Sequence, residues 1–212
     1  MPRLSLDALA QRLSEQLRCE QEDLCRSMLH QLSGGEPLAK ASLATMLRIS
    51  QNELEQRLTR VLDTEFDQEG NIIGWGITLM PTRHRFQLDG KVLFTWCAFD
   101  TVLFPHSLGQ AAQISSTCPS TEVSIMFVAT PEGVVRDLSP SDSVMSLIIP
   151  ATHRDCVRAT FCEQSLFFAS EHAASDYLAT HPEAILLSIE EAATLGKRVA
   201  ASRGLGKQES AE

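Results

Sequence analysis

Between residues 91 and 105 the chain reads KVLFTWCAFDTVLFP, and its hydrophobic period changes inside that run. Val92 to Trp96 alternates and is rich in β-branched and aromatic residues, the signature of a strand. Phe99, Val102 and Leu103 then fall at i, i+3 and i+4, which is helical spacing. The switch comes at Cys97. A strand that turns directly into a helix leaves unpaired amides and the positive end of the helix dipole at the junction. A thiol there is expected to have a lowered pKa and a raised thiolate fraction. Asp100 follows three residues on, on the same helix face. A thiol beside a carboxylate can move a proton between sulfur and a substrate atom. Taken alone, these residues read first as a buried cysteine and a helix-start aspartate, because free cysteine is among the most buried residue types.

The length of 212 residues suits one large domain or two small ones with a real core. A net charge of −9 with no basic tract gives no sign of a nucleic acid or an anionic membrane as partner. The first residues lack the three regions of a signal peptide, and no apolar run approaches a membrane span, so a cytoplasmic protein is expected. The six cysteines form no CxxC and the chain is not small, which argues against a disulfide framework or zinc ribbon. All six are expected as free thiols.

Residues 4–17 carry an amphipathic stripe at Leu6, Leu9, Ala10, Leu13 and Leu17. Further helices are expected at 21–32, ending at Gly34-Gly35, at 41–47, and from Ser50 to about Leu62, where Ser50 and Glu53 make a capping box. Two short strands then flank a turn at 67–71. Three helices and a hairpin are the layout of a winged helix. Residues 1–80 hold eight Lys/Arg against twelve Asp/Glu, and the would-be recognition helix carries Glu53 and Glu55. A DNA binder needs cations for phosphates, so this segment reads as a packing or lid module. Pro81 marks a boundary. Beyond it, strands are expected at 83–88, 92–96, 123–129, 134–138, 144–149, 166–169 and 185–189, with an Asp89-Gly90 hairpin turn. The segment after Pro105 loosens into a Ser-rich loop holding Cys118. Helices are expected at 153–161, capped by Thr152, at 173–180, and at 190–202. Residues 204–212 read as a disordered tail. The fold class is α+β: a winged-helix-like N-terminal domain (1–80) packed on a mixed α/β catalytic domain (81–203) with a mainly antiparallel sheet.

No P-loop, dinucleotide fingerprint, Gly-x-Ser-x-Gly elbow or close histidine metal spacing is present, though a Cys–His pair formed only in the fold stays open. What remains is sulfur. Cys162 precedes a buried strand as Cys97 follows one, so the two can meet in a cleft. Cys19, Cys25 and Cys156 read as structural or incidental, and Cys118 as structural or site-lining.

The strings WCAFDTVLFP (96–105), SSTC (115–118) and FCEQSLFFAS (161–170), with GNIIGWGITL (70–79) upstream, resemble the alkylmercury lyase family, the bacterial organomercurial lyases. The likeness runs from about residue 30 to 200 in one order. It implies a catalytic set of Cys97, Asp100 and Cys162, which would also hold the Hg(II) product, and a mainly structural Cys118. Some members carry a further cysteine directly after the second catalytic one; Glu163 stands there. The implied reaction is protonolysis of a carbon–mercury bond, giving a hydrocarbon and Hg(II). Mercury is a soft ion and thiolates are its preferred ligands, while Asp100 would pass a thiol proton to carbon. Trp96, Phe99 and Phe161 shield the site or form plain core. No organic cofactor or resident metal is implied. Small thiols would strip the Hg(II), or mercuric reductase would receive it by direct hand-off. Rival readings are a winged-helix mercury sensor and an Hg(II) carrier, neither of which needs Asp100.

Overall fold

A computed structural model describes residues 4–61, 63–149 and 157–203. Four helices open the chain: α1 (Leu6–Gln16), α2 (Glu22–Leu32), α3 (Lys40–Leu47) and α4 (Gln51–Leu58). The starts of α1 and α4 follow local capping chemistry. Ser5 Oγ accepts from the Ala8 amide and Ser50 Oγ from the Glu53 amide, each at 3.2 Å. Each helix buries one stripe of leucines. The strands β1 (Glu65–Phe66), β2 (Ile72–Trp75) and β3 (Ile77–Thr78) follow, completing the helix–helix–helix–hairpin layout.

These strands do not stand apart. They form one edge of an eight-stranded sheet that continues through β4 (His84–Leu88), β5 (Lys91–Thr95), β6 (Ala112–Thr117), β7 (Ser124–Ala129) and β8 (Val135–Ser139) in the order β1-β2-β3-β5-β4-β6-β7-β8. Every pairing in it is antiparallel. The β4–β5 turn is the expected Asp89-Gly90 pair, with φ of 45° and 77°, the twist that a two-residue hairpin loop needs. A second antiparallel sheet, order β10-β9-β11, is built from β9 (Val144–Leu147), β10 (Phe167–Phe168) and β11 (Ile185–Ser188). The helix α5 (Ala98–Leu108) lies between these layers with ten of its eleven residues buried, which is why its sequence is apolar on every side. The short helices α6 (Val157–Thr160) and α7 (Ser175–Thr180) precede the closing α8 (Ile189–Ser202). A full capping box starts α8: Ser188 Oγ accepts from the Glu191 amide and Glu191 accepts from the Ser188 amide. It packs on both α5 and α1, and Arg198 donates to Asp7 at 2.6 Å across the latter contact.

Several expectations are corrected. The chain does not loosen after Pro105. The helix continues through that proline and ends at Gly109 in the left-handed conformation (φ 64°). Residues 112–117 are not a loop but β6, between β4 and β7. Its inward face carries Ser116, buried and hydrogen-bonded to His84 Nδ1 at 2.9 Å, so the apolar alternation that marks a strand is broken by a satisfied polar pair. Helix α4 stops at Leu58 rather than near Leu62. Cys19 and Cys25 are not free thiols; they are joined as a disulfide between the end of α1 and the first turn of α2, with Cα atoms 6.7 Å apart. The expected Thr152 cap, the start of the helix at 153, Cys156 and the tail at 204–212 lie outside the described residues.

Where α8 crosses α5, a Cβ on Gly196 would sit 2.7 Å from the Val102 carbonyl oxygen and 2.9 Å from its carbon. Backbone cannot swing away as a flexible side chain can. Gly196→Ala is expected to lower stability by about 1–3 kcal/mol, read as a lower midpoint in thermal or urea unfolding.

Candidate active site

Cys97 is the N-cap of α5 and Asp100 is its third helical residue, the two positions a capping box uses. The thiol forms no regular cap hydrogen bond, though the Asp100 amide lies close enough to favour its thiolate. The orphan amides are satisfied from elsewhere. Ser165, wholly buried, accepts from the Ala98 amide through its carbonyl (3.1 Å) and from the Phe99 amide through Oγ (3.0 Å). Ser165 closes a 3-10 turn over Cys162–Gln164, donating its own amide to the Cys162 carbonyl at 3.1 Å. The cap that α5 lacks in its own sequence therefore arrives from the segment that carries Cys162. Ser146 on β9 holds the same segment from behind, its Oγ donating to the Gln164 carbonyl (2.9 Å) and accepting from the Leu166 amide (3.1 Å).

As a result the Sγ atoms of Cys97 and Cys162 and a carboxylate oxygen of Asp100 all lie within 4.8 Å of one another, and all three residues are buried. Among the described residues this is the one grouping of histidine, cysteine and acid side chains close enough to hold a metal ion. No histidine joins it, so the open Cys–His alternative finds no support among the described residues; the buried His84 is held neutral, its pKa pushed down to about 3 by desolvation and by Arg83.

Burial governs the protonation of the cluster. Desolvation raises the Cys97 thiol well above its ordinary range, helped by its hydrogen bond with Cys162 and the charge of Asp100. The Asp100 amide at the helix start pulls the other way, too weakly to prevail. The expected lowering of the Cys97 pKa is thus reversed, because removing the sulfur from water outweighs the helix terminus. At Cys162 the hydrogen bond with Cys97 favours the thiolate, but desolvation together with Asp100 and Asp63 leaves the pKa raised. Desolvation lifts Asp100 to about 7 against the lowering effects of the Cys97 contacts and Arg203. Its Oδ2 is buried with no hydrogen-bond partner.

The cluster opens onto a cavity of about 360 Å³ between the N-terminal helices and α5. Asp100 and Cys162 line it on one side, with Trp96, Leu103, Phe104 and Phe161 as apolar wall. Phe99 does not face it; its ring stands behind, edge-on to Phe161 at 5.8 Å. Leu103 and Phe104 were legible as the next turn of the Asp100 face. Trp75 and Gly76, within the GNIIGWGITL string, also line the cavity, as do Cys19, Arg60 and Arg203, whose place there had no sequence signal. Gly76 has φ 69°, and a Cβ there would meet the Phe104 ring at 2.5 Å. Arg158 on α6 ties this wall to its neighbours: its amide donates to Asp63 (3.1 Å), its guanidinium to Glu65, and it lies 5.3 Å over the Trp96 ring. Cys118 is buried at the end of β6, outside the cluster and the cavity lining. Glu163 is exposed.

Comparison with known proteins adds three findings. A family model described as alkylmercury lyase matches residues 77–201, and one described as the helix-turn-helix domain of alkylmercury lyase matches residues 6–76. The chain is 38% identical to the alkylmercury lyase of Staphylococcus epidermidis over 85% of its own length and 82% of that protein, and 38% identical to that of Pseudomonas putida over 82% and 81%. The crystal structure of the mercury-bound form of MerB2 shares the fold, with a TM-score of 0.77, 20% identity, and coverage of 94% of this chain and 98% of that one.

Two outcomes are expected. Ser165→Ala removes one cap hydrogen bond and should cost about 1 kcal/mol of stability while lowering activity through Cys162; unfolding curves beside turnover read both. Asp100 holds in the folded state a proton that the unfolded chain releases from near pH 4 upward. Its contribution is therefore nil only below about pH 3 and increasingly destabilising up to about pH 7. Asp100→Asn should melt about 10 °C above the parent at pH 8 and converge with it only towards about pH 3, checked by calorimetry across that range.

Proposed function

The chain belongs to the alkylmercury lyase family and is an enzyme of the organomercurial lyase class, and we propose that Cys97, Cys162 and Asp100 carry out its carbon–mercury cleavage as a protonolysis. The observation that carries this reading is the buried cluster of two thiols and a carboxyl within 4.8 Å, with Cys162 and Asp100 lining a cavity that has an apolar wall.

The substrate enters as an organomercurial thiol adduct, R–Hg–SR′. One cysteine displaces R′S⁻, which leaves with that cysteine's proton as R′SH. The second sulfur binds mercury, and its proton passes through Asp100 to the carbon as the carbon–mercury bond breaks. The products are R–H and Hg(II) held between the two sulfurs, so two thiol protons are consumed and no electron changes hands. Two thiolates suit a soft ion, and electron density from the second makes the carbon more basic. Asp100 serves as general base and then general acid, a role suited to a pKa near 7. The apolar wall receives R and keeps water from the reacting carbon. The chain supplies its own chemistry with no organic cofactor. Small thiols then strip Hg(II) from the site, with mercuric reductase as the final acceptor, which fits a cytoplasmic setting where such thiols are abundant. No described helix is long and apolar enough to cross a membrane.

The test is hydrocarbon release from methylmercury or phenylmercury in excess thiol, followed by headspace gas chromatography. Cys97→Ser and Cys162→Ser are each expected to give no detectable methane or benzene. Asp100→Asn is expected to keep mercury binding while the protonolysis rate falls by about 10²–10⁴-fold. Full activity in either cysteine variant overturns the dithiol mechanism. Tight mercury binding by the parent with no hydrocarbon overturns the lyase reading in favour of a sensor or carrier.

A further inference from the structure

A further sulfur lines the same cavity. Cys19, which shares that lining with Cys162 and Asp100, lies on the short connection between α1 and α2. Cys19 is joined to Cys25, which is 1% exposed in the first turn of α2. Cys19 itself is half-buried. The bond is therefore approached from the cavity at Cys19, while Cys25 is the sulfur shielded within the helical layer. Neither residue has a part in the reaction described above.

We propose that, when reduced, Cys19 and Cys25 form a second dithiol site for Hg(II) at the rim of the active-site cavity, receiving product from Cys97 and Cys162. The inference rests on the lyase reading for the origin of its Hg(II), but the site itself depends only on the two sulfurs. The pair is opened by two equivalents of a low-molecular-weight thiol: the Cys19–Cys25 bond gains two electrons and two protons, and the small thiols become their own disulfide. Transfer is then thiol exchange. Cys19 and Cys25 give up two protons and bind Hg(II), and Cys97 and Cys162 take two protons back. Mercury stays divalent throughout. Soft-ligand preference favours a dithiol over any single thiol in the medium, and a pair held by one short connection offers its second sulfur at high effective concentration. The buried cluster is thereby restored to the protonated state from which the next turnover starts, while the ion waits where outside thiols can reach it.

The experiment counts Hg(II) bound per chain by native mass spectrometry after full reduction, with mercuric ion added in the presence of excess N-acetylcysteine, a monothiol that competes away single-cysteine sites. The full chain is expected to hold two ions, Cys19→Ser/Cys25→Ser one, and Cys97→Ser/Cys162→Ser one. No retained ion in the last variant overturns the proposal, and so does a second ion that survives in the first. Because Cys97→Ser/Cys162→Ser keeps the α1–α2 pair intact, the count does not depend on whether the other variant folds. It is also independent of catalysis, so failure of the lyase reading appears separately, as absent hydrocarbon. On the release side, the ratio of steady-state turnover to single-turnover cleavage should fall at least about threefold in Cys19→Ser/Cys25→Ser; an unchanged ratio would remove the receiving role.

Discussion

The contact on which the site depends is a borrowed helix cap. Most helices that begin with an extended residue are capped by that residue's own side chain, as Ser5, Ser50 and Ser188 do here. Helix α5 begins with Cys97, whose sulfur does not take that part. Its amides turn instead to Ser165, sixty-six residues downstream of Phe99. A helix start buried in the core cannot leave those amides unpaired without cost. The requirement is met only if the segment holding Ser165 lies across the N-terminus of α5, and Cys162, one 3-10 turn earlier, comes with it. The approach of the two thiols follows from satisfying backbone hydrogen bonds. Ser146 and Tyr177, which bond to Gln164, secure the same turn from its other side.

The stability of the protein is spent at the point the chemistry needs it. An uncapped thiol, a carboxyl with an unpartnered oxygen and two desolvated sulfurs are each unfavourable in a core. They are tolerated because the surroundings are over-determined: α5 is buried on all sides, pressed against α8 at Gly196, and held at its N-terminus by the Ser165 cap. The N-terminal layer contributes walls rather than reacting groups. Its helical layout suggested DNA recognition, and its acidic charge argued against that; in the fold its α1–α2 connection and the segment after α4 close the cavity.

Much of this was legible in the sequence, and the reasons for the remainder are specific. The period switch at Cys97 marked the β5–α5 junction to within a residue, because a strand and a helix impose different spacings on the same apolar residues. Spacing paired Cys97 with Asp100, the ends of two buried strands allowed Cys97 and Cys162 to meet, and motif likeness joined all three in one catalytic set. Strand β6 was hidden because its buried face carries serine paired to histidine, and Pro105 suggested a break that the helix simply passes through. The rise in the Cys97 pKa was missed because a helix terminus is visible in sequence and burial is not. The Cys19–Cys25 bond was missed for a similar reason: five intervening residues match no familiar spacing, and only the turn between α1 and α2 brings the sulfurs together.

That reversed pKa bears on how the proposed reaction can work. A nucleophilic cysteine that attacks carbon gains from being ionised in advance. Mercury asks for something different. It binds sulfur strongly enough to displace the proton itself, so metal binding and deprotonation are one event. The carbon that leaves, by contrast, needs a proton at the moment its bond to mercury breaks, beside the apolar wall of Trp96, Phe104 and Phe161. Thiols ionised at rest would have released that proton to solvent before substrate arrived. Two thiols with raised pKa values and an acid poised near 7 retain it. On this view burial of the cluster stores the proton that becomes part of the product, and the destabilisation that comes with it is inseparable from the chemistry.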